Sequence, residues 1–356
     1  TGDFTVAVGF EAGKSVSTGL YNTLLGGRAG DLVSVGGSNI AIGVNSLGGD
    51  TKGSKSVAVG MGALQTQNFT SATDTFNVAV GFEAGVGVTT GVGNTVVGAE
   101  AAASNTTANN NSAFGYRALH NNTTGTGNNA FGYFAMLANV EANYNTAFGH
   151  VASSTNTAGT KNCAFGEQTM YTNKASNTTG FGAEALYANT TGEQNTAVGA
   201  NTLRTCTTGY NNTVCGEGAG HAVTTGFSNV GVGDHALRTV TTGDKNISIG
   251  RYAGYGATTG NENVIIGYSA GYAGGQSTQI STGGYNILIG AFTNLAAGDN
   301  SGSMTIGYNV AGKGSNTGMI APNGNGVIYQ GSNSSSWQTT SDRRLKKNIT
   351  DSPKGL

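Results

Sequence analysis

The chain has almost no proline, few cysteines and little charge. Two prolines in 356 residues exclude a collagen-like or proline-rich fibre, although glycine is abundant at 61 residues. Cys163, Cys206 and Cys215 form no CxxC pair and have no histidine at zinc spacing, so neither a disulfide scaffold nor a zinc module is expected. They read as small apolar fillers. Charged residues make up 10% of the chain and the formal net charge is −1, which offers no electrostatic attraction to nucleic acid or an anionic membrane. An apolar content of 37% is too high for a charged, disordered chain. No apolar run reaches the about 18 residues of a spanning helix, so membrane insertion is not expected. Thr1 is no initiator methionine and stands inside a pattern, so the sequence reads as a fragment.

Catalytic and metal-binding patterns are missing as well. His120, His150, His221 and His235 are scattered, with no HxxxH or HExxH among them. No acidic residue recurs in phase, so no row of calcium ligands builds up. "GVGNTVVG" is followed by no GK[ST]. Glu167 and Glu184, one repeat apart, are a pair of carboxylates of the kind coincidence supplies, and hydrolysis is not inferred from them. No cofactor and no metal is expected, and the chain does not read as an enzyme.

A repeat is present instead. The glycines of "VAVG", "LLGG" and "IAIG" (Gly9, Gly26, Gly43) begin a series of eighteen anchors ending at Gly307, and fourteen of the seventeen gaps are 17 residues. The others are 16, 21 and 23. The residue before the anchor is apolar in all eighteen copies, Asn opens fourteen of them, and Ala stands three after the anchor in thirteen. Frequent glycine would cost a helix roughly 1 kcal/mol each. Short apolar pentads bounded by Asn and Gly read as brief strands. The spacing therefore predicts an all-β fold, a repetitive β-solenoid of one coil per 17 residues spanning 1–311. Stacked at about 4.8 Å per coil, the repeats would form a rod of roughly 80–90 Å. Each coil offers few inward side chains, many of them Ala, so a parallel homotrimer is expected, with a monomeric solenoid as the alternative.

Five successive units carry Phe before the anchor: Phe114, Phe131, Phe148, Phe165 and Phe181. The invariant apolar character of that position places them inward, as an internal stack. The position after the anchor is mixed and reads as solvent-facing. Among its tyrosines, Tyr116, Tyr133 and Tyr268 are candidates for stacking on a receptor. The recurrent Asn side chains suit either an amide ladder between coils or Asx turns at corners. After Gly307 the period fades, and "APNGNGVIYQG" signals a hairpin or short strand within a transition segment, 312–341.

The last residues differ from the rest. "SDRRLKKNI" (Ser341–Ile349) holds four basic residues, whereas residues 1–340 hold 12 basic and 16 acidic ones. Ser341, Asp342, Arg344, Leu345, Lys346, Asn348 and Ile349 match the pattern Ser-Asp-x-Arg-Leu-Lys-x-Asn-Ile. This closely resembles the start of the endosialidase-type intramolecular chaperone domain that ends many phage tail fibres and tailspikes. The "NTAVG…A…TTG" repeat is similar to arrays upstream of that domain. The resemblance implies a trimeric shaft, and self-cleavage of a precursor between Ser341 and Asp342. Residues 342–356 would be the truncated start of the chaperone, and without its remainder this chain should not cut itself. The function so implied is a structural, receptor-binding fibre of a virion tail. Its partners would be two further copies, other tail proteins and a host-surface glycan or protein. A bacterial trimeric surface adhesin and a polysaccharide-degrading tailspike are the alternatives.

Overall fold

The computed structural model describes residues 4–272, 280–322, 328–330 and 338–339. The chain is an all-β parallel solenoid of about eighteen coils, with about 17 residues per coil. It divides into two compact units, Thr1–Thr213 and Val214–Leu356.

In the first unit each coil contributes a three-residue strand, such as Ser112–Phe114, Asn129–Phe131 and Thr146–Phe148. Neighbouring strands pair in parallel and in register, so Ala113, Ala130 and Ala147 lie in one line. The second unit repeats the arrangement through Val230–Val232, Ile247–Ile249, Val264–Ile266, Ile287–Ile289 and Met304–Gly307. The 21-residue gap before Gly81 is taken up by a small extra pairing, Gly53–Ser54 with Thr73–Asp74. At the far end Gly318–Ala321 still pairs in parallel with Met304–Gly307, then pairs antiparallel with Ile328–Gln330.

Strands this short cannot hold a fold by themselves, so the turns must also find hydrogen-bond partners. In the coil of Gly132 they do so by alternation. The N–H groups of Gly132 and Phe134 donate back to Phe114 and Tyr116, at 2.8 and 3.1 Å. Met136 and Ala138 donate forward to Ala152 and Ser154, at 3.0 and 2.8 Å, while Ala135, Leu137 and Asn139 close turns within the coil. Such a path needs left-handed backbone at several points: φ is 55° at Phe134, 50° at Met136 and 58° at Tyr144. Bonds to coils on both sides hold these unfavourable conformations. The anchor glycine has a stricter reason. At Gly132 φ is 138°, and a Cβ there would lie 2.4 Å from the carbonyl oxygen of Gly149.

The interior is narrow and partly polar. Leu119, Met136, Leu186 and Leu203 fill its middle, flanked by Ala113, Ala118, Ala130 and Ala135, all fully buried. Asn111, Asn128 and Asn145 form a buried column along one corner. The Oδ1 of each accepts the backbone N–H of the next, at 2.8 Å for Asn128 and 3.0 Å for Asn145. Each Nδ2 donates to a carbonyl further along, as Asn128 does to Ala142 at 2.8 Å. Direct amide-to-amide bonds occur at places such as Asn263 to Asn246, at 3.0 Å. A second buried column makes Asx turns: Asn156 donates to the carbonyl of Gly159 and accepts its N–H, both at 2.8 Å. The two roles suggested by the sequence are thus both filled, in different columns.

One expectation is overturned. Phe114, Phe131, Phe148, Phe165 and Phe181 do stack coil upon coil, but on the outer face. Phe148 is 48% exposed and Phe181 42%. The residue between the outer two of each strand points inward instead: Ala113, Ala130, Ala147 and Ala164, each fully buried. Strand side chains alternate, and the buried Asn that opens most units fixes the phase, so a slip of one residue reverses every assignment. Space decides the residue type. At Gly180, which holds the inward place in its coil, an added Cβ would come within 2.8 Å of Thr169 Cγ2.

Candidate functional site

With the inward places taken by Ala, Asn and Leu, the strands turn their apolar residues to the outside. In every coil the two outward strand positions are free of charge, and the one before the anchor is always apolar. In the first unit this face carries the phenylalanine stack, with ring centroids 4.7, 4.8, 5.6 and 4.6 Å apart in sequence order and nearly parallel planes. The stacked faces cover one another, so the rings offer their edges outward. In the second unit the same face is β-branched: Ile247, Ile249, Ile287 and Ile289 are all exposed, Ile249 by 41%. An uncharged apolar ribbon of this kind is atypical of a surface that meets only water.

The position after the anchor is solvent-facing, as expected. Tyr116, Tyr133 and Tyr268 are all exposed. The structure brings the first two together: their rings stack at 5.5 Å, and His150 continues the row 5.3 Å from Tyr133. Phe134 fills the flank 4.1 Å from Tyr133, and Arg117 lies 5.2 Å over Tyr116. A face-to-face row leaves little open ring surface for a ligand except at its ends. Tyr268 belongs to the other unit and meets Phe292 edge-on at 5.2 Å, an arrangement that keeps more of the ring free.

Most charged side chains are engaged with a neighbour one coil away. Arg117 reaches Glu100 at 2.7 Å, and His120 lies 3.6 Å from the same carboxylate. The Glu100 hydrogen bond raises the pKa of Arg117 further. Glu184 is held by Arg204, and Glu167 lies 3.9 Å from His150, so these two carboxylates have separate partners. In the second unit Asp234 bonds His235 and, at 2.7 Å, Arg251. Partial burial would raise the Asp234 carboxyl, but the hydrogen bonds from His235 and Arg251 outweigh it and hold its pKa below the ordinary value. Burial pushes the Cys206 thiol up to about 12, whereas Cys215 is exposed on the outer face. Among the described residues no three His, Cys, Asp or Glu side chains gather into a possible metal site.

Ser341, Asp342, Arg344, Leu345, Lys346, Asn348 and Ile349 lie outside the described residues. The outer apolar face is what the sequence reading missed, and the signal lay in the alternation: Asn and the middle strand residue share one side. No protein-family profile, curated protein or solved structure matches the chain.

Proposed function

We propose that the chain is the structural, receptor-binding shaft of a trimeric phage tail fibre, matured in its precursor by release of a C-terminal chaperone. The observation that carries this reading is the outward apolar face. Two uncharged side chains per coil, repeated from coil to coil within each unit, offer an extended apolar contact surface, and a stable interface takes about 800 Å² per partner. Three chains packed by these faces about a common axis would bury the phenylalanine edges and the isoleucines. The match at Ser341–Ile349 favours three chains over two, because the chaperone it resembles builds trimers. The columns on the other sides of each coil would remain open for a host receptor and carry the exposed tyrosines.

Light scattering on the native protein tests the assembly. A mass three times the 35.6 kDa of one chain is expected, falling to one chain when Phe148 and Ile249 are both replaced by Lys. A folded, soluble wild-type monomer would overturn the reading. Adsorption of the labelled trimer to bacterial cells tests the receptor role, which fails if no strain retains it.

A further inference from the structure

A gap in one side-chain column makes a cleft. Five residues after the anchor, every coil of the first unit carries a side chain, from Lys14 to Arg204, except the coil that has Gly48. The missing side chain leaves a slot between Asp31 and Gln65, one coil to either side. The result is a cleft of about 360 Å³ lined by Arg28, Asp31, Asn45, Gly48, Gln65 and Thr66. That volume lies within the roughly 300–1,000 Å³ of small-molecule sites.

We propose that this cleft binds one uncharged saccharide unit of a surface glycan. Three of its side chains have unused hydrogen-bonding capacity: Asp31, Asn45 and Gln65 make no side-chain hydrogen bond among the described residues. Asp31 overlooks the slot, its Oδ1 standing 3.2 Å from where a Cβ on Gly48 would be. A carboxylate accepts only, whereas the two amides both donate and accept. A hydroxyl is the ligand group that can give a proton to the first and receive or give one at the others. An anion fits poorly, because the Arg28 guanidinium already bonds Glu11 at 3.1 Å and the Asp31 carboxylate would repel it. The floor is preformed: Gly49 donates to the carbonyl of Gln65 at 2.8 Å and Asn45 to that of Gly27 at 3.0 Å. The inference gives the receptor-binding reading a ligand class and rests on that reading for its biological role.

Saturation-transfer NMR on the full chain tests it, with methyl α-glucopyranoside, methyl β-galactopyranoside and N-acetylglucosamine as probes and inorganic phosphate as the anionic control. At least one sugar should bind saturably and phosphate should not. Binding should weaken at least tenfold in Gly48→Gln, which refills the slot, and in Asp31→Ala, whose side chain has no protein partner to lose. Failure of all three sugars, unchanged affinity in a folded variant, or saturable phosphate binding at the cleft would overturn the proposal. Light scattering on the same samples separates the two readings. A trimer that binds no probe sinks the cleft alone, and a monomer that binds sugar sinks only the fibre.

Discussion

Replacing Asn128 by Ala isolates what the buried asparagine column contributes. Asn128 is fully buried, its Oδ1 accepts the Asn145 N–H at 3.0 Å, and its Nδ2 donates to the Ala142 carbonyl at 2.8 Å. The substitution removes both bonds but strands only one group. Ala142 keeps the Asn139 amide at 3.2 Å, while the Asn145 N–H has no other acceptor. An orphaned buried donor costs about 1–3 kcal/mol and the second lost bond about 1 kcal/mol, giving about 2–4 kcal/mol in all. At 1.4 kcal/mol per decade, amide exchange around Asn145 should accelerate roughly 30- to 700-fold. Hydrogen exchange read by mass spectrometry is the suitable assay, because a solenoid opens coil by coil and a single melting temperature would blur the effect. Asn139→Ala in the same coil provides the control. Its Oδ1 already lacks a partner and only the bond to Ala142 is lost, so a clearly smaller effect is expected. Acceleration below threefold at Asn145, or equal effects of the two substitutions, would refute the assignment of the column as a structural spine.

Two further outcomes follow from the same geometry. Gly132→Ala should cost about 4 kcal/mol or more in urea unfolding, since its Cβ would sit 2.4 Å from the Gly149 oxygen at a φ that alanine avoids; a near-neutral result would contradict the coil spacing. At pH 8 in the native protein, Cys206 should resist Ellman's reagent, because burial places its pKa at about 12. Under the proposed trimer, exposed Cys215 should react readily in a dissociated monomer and slowly in the assembly, and equal rates in both states would remove it from the proposed interface.

The repeat carried most of the fold. Anchor spacing defined the coils, and the flanking Asn and Gly defined where strands end, because both signals depend on local backbone chemistry. The facing of the strands was harder to read. An apolar residue in all eighteen copies suggests burial, and for Phe114 to Phe181 that inference fails. Hydrophobicity alone cannot separate an inward row from an outward one. Buried Asn resolves the phase, since an amide that bonds backbone across coils must lie inside, but its burial is not visible without knowing those bonds. The cleft at Gly48 was beyond reach for a different reason. One glycine among 61 carries no distinguishing mark until its column neighbours Asp31 and Gln65 are known.

The division of labour within a coil explains how such a chain can combine a regular stack with variable outer columns. Coil-to-coil bonding uses backbone groups, the inward Asn columns and the anchor glycines, none of which depends on the outward columns. The strand face is then free to stay uncharged in every coil, with an apolar residue always before the anchor. The columns that follow the anchor are free to vary from coil to coil without breaking the stack. They vary widely, with a tyrosine row at Tyr116 and Tyr133, an ion-paired cluster at Asp234 and Arg251, and a deletion of side chain at Gly48. A cleft made by removing a side chain needs no new loop and leaves the hydrogen-bonded spine intact. Recognition sites on this scaffold are therefore expected where a column changes character, rather than where the repeat is most regular.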